Sequence, residues 1–201
     1  MTYEARNAVT LNGVHPSLRY KLIQLLDLLR LNGEDVLLYE GFRTIDQQNA
    51  DWQVGRDIDG RVIGTTITDA KGGYSFHNYG LAVDFAPVGP LGVPLSKRNM
   101  LEWSAKARYE AIARLAQTLG LEWGGTWPKP DKPHLQYADG LSITAVRSGK
   151  RPDAEKAKAG LTAYYRNRIT NAKRGLKHAD ADRTKELDAF IVDLQTKLNA
   201  L

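Results

Sequence analysis

Cysteine is absent from the 201 residues. That excludes a disulfide framework and any thiolate metal ligand, so a metal in this chain has to be held by histidine, carboxylate and water. Long apolar runs are missing too. Nothing approaches the roughly 20 apolar residues of a membrane span, and the segment from Met1 to Arg6 lacks the apolar run of a secretory signal. The expectation is a protein made and kept in the cytosol unless something else releases it. Net charge is missing from the first three quarters: residues 1–149 carry 16 Lys/Arg and 16 Asp/Glu, whereas residues 150–201 carry 12 against 7, which is the whole excess of +5. A basic tail favours anionic surfaces such as wall polymers, lipid headgroups or nucleic acid, although a solvated helical face explains it as well.

With 42% hydrophobic and 25% charged residues, the composition is that of a soluble globular chain, and its length suits one ordinary domain plus an appendage. After His15-Pro16-Ser17, the apolar residues Leu18, Leu22, Leu25, Leu26 and Leu29 follow a 3.6-residue period that predicts an amphipathic helix stopped by Asn32-Gly33. Asp35 to Tyr39 reads as a buried strand, and Thr44-Ile45-Asp46-Gln47 is a capping-box pattern opening a second helix, which puts Arg43 at a strand-to-helix turn. Residues 54–74, rich in Gly, Asp and Thr, read as a loop forming one wall of a cleft. A strand is expected from Leu81 to Phe85, ended by Pro87 and Gly89-Pro90. A third helix follows from about Asn99 or Ser104 to Leu119, then strands at Leu121 to Trp123 and His134 to Tyr137. The mixture is α+β. Residues 147–153 turn polar and mark a linker between a catalytic domain (1–146) and a basic helical segment (154–201), the latter a helix pair broken near Gly175. Its apolar stripes suit packing on each other or on the first domain. There is no internal repeat.

The chemistry gathers in two stretches. Ser75-Phe76-His77-Asn78-Tyr79-Gly80-Leu81-Ala82-Val83-Asp84 and Asp131-Lys132-Pro133-His134 supply two imidazoles, a carboxylate and a further carboxylate beside the last histidine. A hydrolytic zinc site commonly takes three protein ligands and leaves one position for water, and His77, Asp84 and His134 meet that count. Asp131, three residues before His134 on a proline-stiffened loop, is the candidate general base; its plainer role is a turn hydrogen bond. Arg43 is the candidate partner for an oxyanion, against the plainer role of a surface arginine. Ser75 and Gln48 are candidates for binding substrate or orienting Arg43, with turn and helix-surface roles as the alternatives. His15 and His178 have no comparable neighbours. Trp123, Trp127 and Tyr137 are expected to pack around the site, with core the simpler role.

Ser75-x-His77-x-x-Gly80-x-Ala82-x-Asp84, Asp131-x-Pro133-His134, and Gly41-Phe42-Arg43 with Gln48 five positions on resemble the zinc D-Ala-D-Ala carboxypeptidase and L-alanyl-D-glutamate endopeptidase family, whose fold Hedgehog signalling domains share. The resemblance covers about residues 10–140. It implies a small antiparallel sheet flanked by helices, Zn2+ on His77, Asp84 and His134, and cleavage of peptidoglycan stem peptides. Within the family, carboxypeptidases typically carry a Glu-x-Trp-His arrangement. Asp131-Lys132-Pro133-His134 is similar instead to the endopeptidases of phage endolysins and bacterial autolysins, which implies the L-Ala–D-Glu bond. Thr44 departs mildly from the serine commoner there.

The expected function is therefore a peptidoglycan hydrolase of the endolysin kind, reaching the wall from the host cytoplasm through a membrane hole made by another protein. A D-Ala-D-Ala carboxypeptidase is the alternative, and a non-enzymatic zinc-containing wall-binding domain a remoter one. The basic segment 154–201 is expected to attach to an anionic wall polymer or lipid surface, and no nucleic-acid partner is expected.

Overall fold

The computed structural model describes residues 3–89 and 105–201. Helix α1 (Tyr3–Gly13) leads into α2 (Pro16–Leu31), strand β1 (Asp35–Glu40) and α3 (Ile45–Gln53). After the long loop come a 3-10 turn (Phe76–Tyr79), β2 (Ala82–Val88), α4 (Lys106–Thr118), β3 (Glu122–Trp123) and β4 (His134–Gln136). The chain finishes with α5 (Ile143–Arg147), α6 (Ala154–Leu176) and α7 (Ala181–Asn199). The expected start of α4 at Asn99 or Ser104 lies outside the described residues.

The strands form one antiparallel sheet in the order β1-β2-β4-β3. Because side chains alternate along a strand, the register divides the sheet into two unlike faces. Val36, Leu38, Val83, Phe85, Leu135 and Trp123 point into a core filled by Leu18, Leu22, Leu25 and Leu29 of α2 and by Tyr109, Ile112 and Ala116 of α4. Each such leucine contributes roughly 1.5–3 kcal/mol by leaving water. The opposite face carries Asp84 paired with His134, and Gln136 paired with both Ala82 and Glu122. One face therefore holds the fold together and the other holds the chemistry.

Local signals explain the element ends. His15 caps α2, its Nδ1 accepting from the Ser17 backbone N–H at 3.3 Å, with Pro16 at the first helical position. Thr44 and Gln47 complete the capping box of α3. Pro87 does not end β2, as expected from sequence; it lies within the strand in register with Val36, one residue from the end, where a missing N–H costs little. Helix α1 has no counterpart in the sequence reading, because its anchors are polar. The Asn7 side chain donates to the Val36 carbonyl at 2.9 Å and accepts from the Leu38 N–H at 2.8 Å, while Thr10 donates to the Leu38 carbonyl at 2.8 Å. These bonds cover the open edge of β1.

The last two helices form a second core of Leu161, Tyr165, Ile169, Ile191 and Leu194, against which Tyr20 and Ile23 of α2 pack. Asp27 of α2 fastens the contact. It accepts from the Tyr164 hydroxyl at 2.8 Å, pairs with Arg168, and lies 3.7 Å from the Lys197 ammonium. The break between the two helices falls near Gly175, as expected: α6 runs to Leu176, and the chain turns before Asp180, which caps α7. A Cβ on Gly175 would meet the Leu187 side chain at 3.4 Å, an ordinary packing contact between the two helices. No described helix is long and apolar enough to cross a membrane.

Candidate metal centre

His134 and Asp84 face each other across the β2–β4 ladder, and the 3-10 turn brings His77 over them. His77 Nε2 and His134 Nδ1 are 3.2 Å apart, and each lies 3.4 Å from Asp84 Oδ1. All three residues are at least largely buried, and their ligand atoms fall within 4.8 Å of one another.

Which nitrogen carries each proton follows from the outer contacts. His77 Nδ1 is 2.7 Å from the Gly41 carbonyl, which can only accept, so the proton sits on Nδ1 and the Nε2 lone pair faces inward. His134 Nε2 is 3.1 Å from Gln136 Oε1. The Gln136 amide is oriented in turn by donating to Glu122 Oε2 at 2.8 Å, which leaves its oxygen for His134. His134 therefore also turns a lone pair inward. Asp84 Oδ1 is buried with no hydrogen-bond partner. Three electron-pair donors converge on one point, an arrangement that needs a cation at its centre, and the chemistry of the set suits a metal ion held by two histidines and a carboxylate.

Burial pushes the Asp84 carboxyl up, but His134 and His77 outweigh it and hold the group well below the usual carboxylate range. Burial works against a charge on His134, yet Asp84 prevails and raises it. Asp131 sits in the loop before β4, where its backbone N–H donates to the Gly124 carbonyl at 2.9 Å. Partial burial and then the charge of Asp84 push its carboxyl up, while His134, His77 and Arg43 pull it down. It is thus electrostatically part of the site and is not tied up in the cluster.

Arg43 is buried, and its backbone N–H donates to the His77 carbonyl at 3.1 Å. Its Nε and Nη2 donate to the two oxygens of Glu40 at 2.6 Å each, and Nη1 donates to Gln48 Oε1 at 3.0 Å. A one-residue irregularity in the β1–β2 register places Glu40 opposite Asp84, which draws Arg43 toward the metal ligands. Gln48 is fully buried and donates to the Ala70 carbonyl at 2.8 Å, so it orients Arg43 and ties down the cleft wall and is not open to substrate. Ser75 caps the 3-10 turn, its hydroxyl 3.3 Å from the His77 N–H. Trp127 lies with its ring 5.0 Å from that of His134 and its Nε1 on Glu122, whereas Trp123 and Tyr137 belong to the core. Sequence reasoning missed Glu40, Glu122 and Gln136. Only Gln136 had a signal, since two residues beyond His134 on a strand is the same face.

A family model described as D-alanyl-D-alanine carboxypeptidase matches residues 68–137, the stretch that contains His77, Asp84, Asp131 and His134. The chain is 34% identical over 135 residues to the peptidoglycan L-alanyl-D-glutamate endopeptidase CwlK of Bacillus subtilis, covering 62% of this chain and 74% of that protein. It is 30% identical over 138 residues to the L-alanyl-D-glutamate peptidase of Listeria phage A118, covering 67% of this chain and 42% of the phage protein. Among solved structures, the L-Ala D-Glu endopeptidase ChiX of Serratia marcescens is similar at 29% identity and a TM-score of 0.44, over 66% of this chain and 86% of that one.

Proposed function

Since the chain belongs to the metallopeptidase family of the L-alanyl-D-glutamate endopeptidases and D-alanyl-D-alanine carboxypeptidases, we propose that it hydrolyses the L-Ala–D-Glu bond of peptidoglycan stem peptides with Zn2+ held by His77, Asp84 and His134. The convergence of three inward-facing donors, with Asp131 in the turn that leads into His134 and its carbonyl accepting from the His134 N–H at 3.2 Å, is the observation that carries this reading. The ion would supply a Lewis acid and lower the pKa of a water to about 7.

Asp131 takes the proton of the attacking water as its oxygen adds to the scissile carbonyl, and returns it to the departing amine as the C–N bond breaks. Its raised pKa suits both steps. Arg43 faces the negative charge that develops on the carbonyl oxygen. Of the five N–H groups on a guanidinium, three are spent on Glu40 and Gln48, with Asp51 3.4 Å from Nε as well, which leaves two for that oxygen. The role of Gln48 is to hold that frame, and Ser75 fixes the turn that aims His77.

Digestion of purified peptidoglycan followed by mass spectrometry tests the bond. New N-terminal D-Glu on the released peptides is expected. Release of free D-Ala alone would establish the carboxypeptidase reading, which the description of the matching family model favours.

Substrate of this kind places the working enzyme at the cell wall, reached after release through the membrane as in phage lysis; the phage relative supports this. Arg166, Lys173, Arg174 and Lys177 lie exposed on α6 and its end, and none forms an ion pair among the described residues. That face is proposed to hold the enzyme on an anionic wall polymer or lipid surface. Replacing the four by Glu should abolish salt-sensitive sedimentation with purified walls, and unchanged sedimentation would overturn the idea.

A further inference from the structure

Two of the three metal donors, Asp84 and His134, are fixed by a strand ladder. His77 is not; it stands on a short 3-10 turn outside the sheet. On its inner side that turn is well tied. Asn78 Nδ2 donates to the Arg43 carbonyl at 2.9 Å, Asn78 Oδ1 accepts from the Gly73 N–H at 2.9 Å, and the Tyr79 hydroxyl donates to the Gly73 carbonyl at 2.9 Å. Two tyrosine rings flank it, Tyr74 just before the turn and Tyr79 at its end, and a guanidinium lies over each. The Arg147 guanidinium lies 3.7 Å from the centre of the Tyr74 ring, and that of Arg151 lies 4.9 Å from the centre of the Tyr79 ring.

Both arginines come from the segment joining the sheet domain to the helix pair. Arg147 ends α5, next to the fully buried Val146, and Arg151 Nη1 donates to the Val146 carbonyl at 2.7 Å. Immediately afterwards Asp153 caps α6, which Asp27 holds on α2. The two cations are therefore anchored on both sides and reach back onto a turn about 70 residues earlier in the chain. They lie beyond the residues matched by the family model.

We infer that Arg147 and Arg151 are positioning residues for the metal centre: stacked on Tyr74 and Tyr79, they hold the His77 turn where its Nε2 meets Asp84 and His134. The segment after the last strand is then a working part of the site. A planar guanidinium covers an aromatic face broadly, whereas an ammonium sits over it as a point charge, so arginine is the better fit.

The role given to these arginines rests on His77 being a metal ligand. The test uses the full chain and the double variant Arg147→Ala/Arg151→Ala, with Zn2+ affinity read by competition against a chromophoric chelator and thermal midpoints measured on the metal-free forms. Both side chains are on the surface, and the variant is expected to fold. Zn2+ affinity should fall by roughly tenfold, the lower end of what loss of an outer support costs a metal site, with the metal-free midpoint nearly unchanged. Arg147→Lys/Arg151→Lys should recover only part of the affinity. Wild-type affinity in the alanine variant, or a loss that merely tracks a fallen metal-free midpoint, overturns the inference. If the wild-type chain binds no Zn2+ at all, the metal reading itself fails, a result distinct from either.

Discussion

His77 Nε2 and His134 Nδ1 stand 3.2 Å apart, each with its lone pair turned toward the other because the opposite nitrogen of each ring is engaged, on the Gly41 carbonyl and on Gln136. Two acceptors at that distance repel unless something positive lies between them and Asp84. In a metal site such outer contacts fix the tautomer of each ligand and tune its affinity.

Gln136→Leu removes the acceptor that fixes the His134 tautomer and leaves Glu122 Oε2 without its donor. Zn2+ affinity should drop by about 10–100-fold, measurable by chelator competition. Stripping the metal from the wild type should abolish hydrolysis and lower the melting temperature, since a ligand bound only by the folded state stabilises it. An unchanged midpoint after chelation would mean that the cluster binds no metal.

Asp131→Asn keeps the shape of the loop and removes the proton acceptor. Turnover should fall by about 10²–10⁴-fold, the usual range for loss of a general base, while metal content by elemental analysis stays at that of the wild type. Loss of metal together with activity would make Asp131 a ligand instead.

Gly124 directly follows β3, and the loop before β4 passes close over it. A Cβ there would meet the Asp131 carbonyl at 2.6 Å and the Cβ atoms of Asp131 and His134 at 3.1 Å, so Gly124→Ala has to displace the base and the ligand together. A misplacement of about 1 Å can cost about 100-fold in rate. The variant should therefore lose turnover on purified peptidoglycan with little change in urea midpoint. Full turnover would show that the loop has room to yield.

What was legible in the sequence is what depends on near neighbours. The His77 to Asp84 spacing, the Asp131 to His134 spacing and the Thr44 to Gln47 box are local, and each sits where those patterns put it. Glu40 and Glu122 escaped because their importance depends on register: the irregularity in β1 brings Glu40 opposite Asp84, and β3–β4 pairing brings Glu122 to Gln136. Helix α1 escaped for a different reason. Its contacts to β1 are polar side chains on an open strand edge, and a search for apolar periodicity passes over them.

Asp27 decides how firmly the helix pair belongs to the rest of the molecule. Its carboxylate and Arg168 are each about 15% exposed, with the Tyr164 hydroxyl on the same oxygen as Arg168. Asp27→Ala strands a mostly buried guanidinium and a hydroxyl without their acceptor, and breaking such a pair from one side costs about 3–5 kcal/mol. If α6 and α7 unfold together with the sheet domain, urea denaturation followed by far-UV circular dichroism should show one transition in both proteins, shifted to lower urea in the variant. Two transitions, with only the earlier one shifted, would mean that the hairpin detaches on its own. In that case Arg147 and Arg151 would lose their anchorage before the metal site loses its strands, and Zn2+ affinity should fall at urea concentrations that leave the sheet intact.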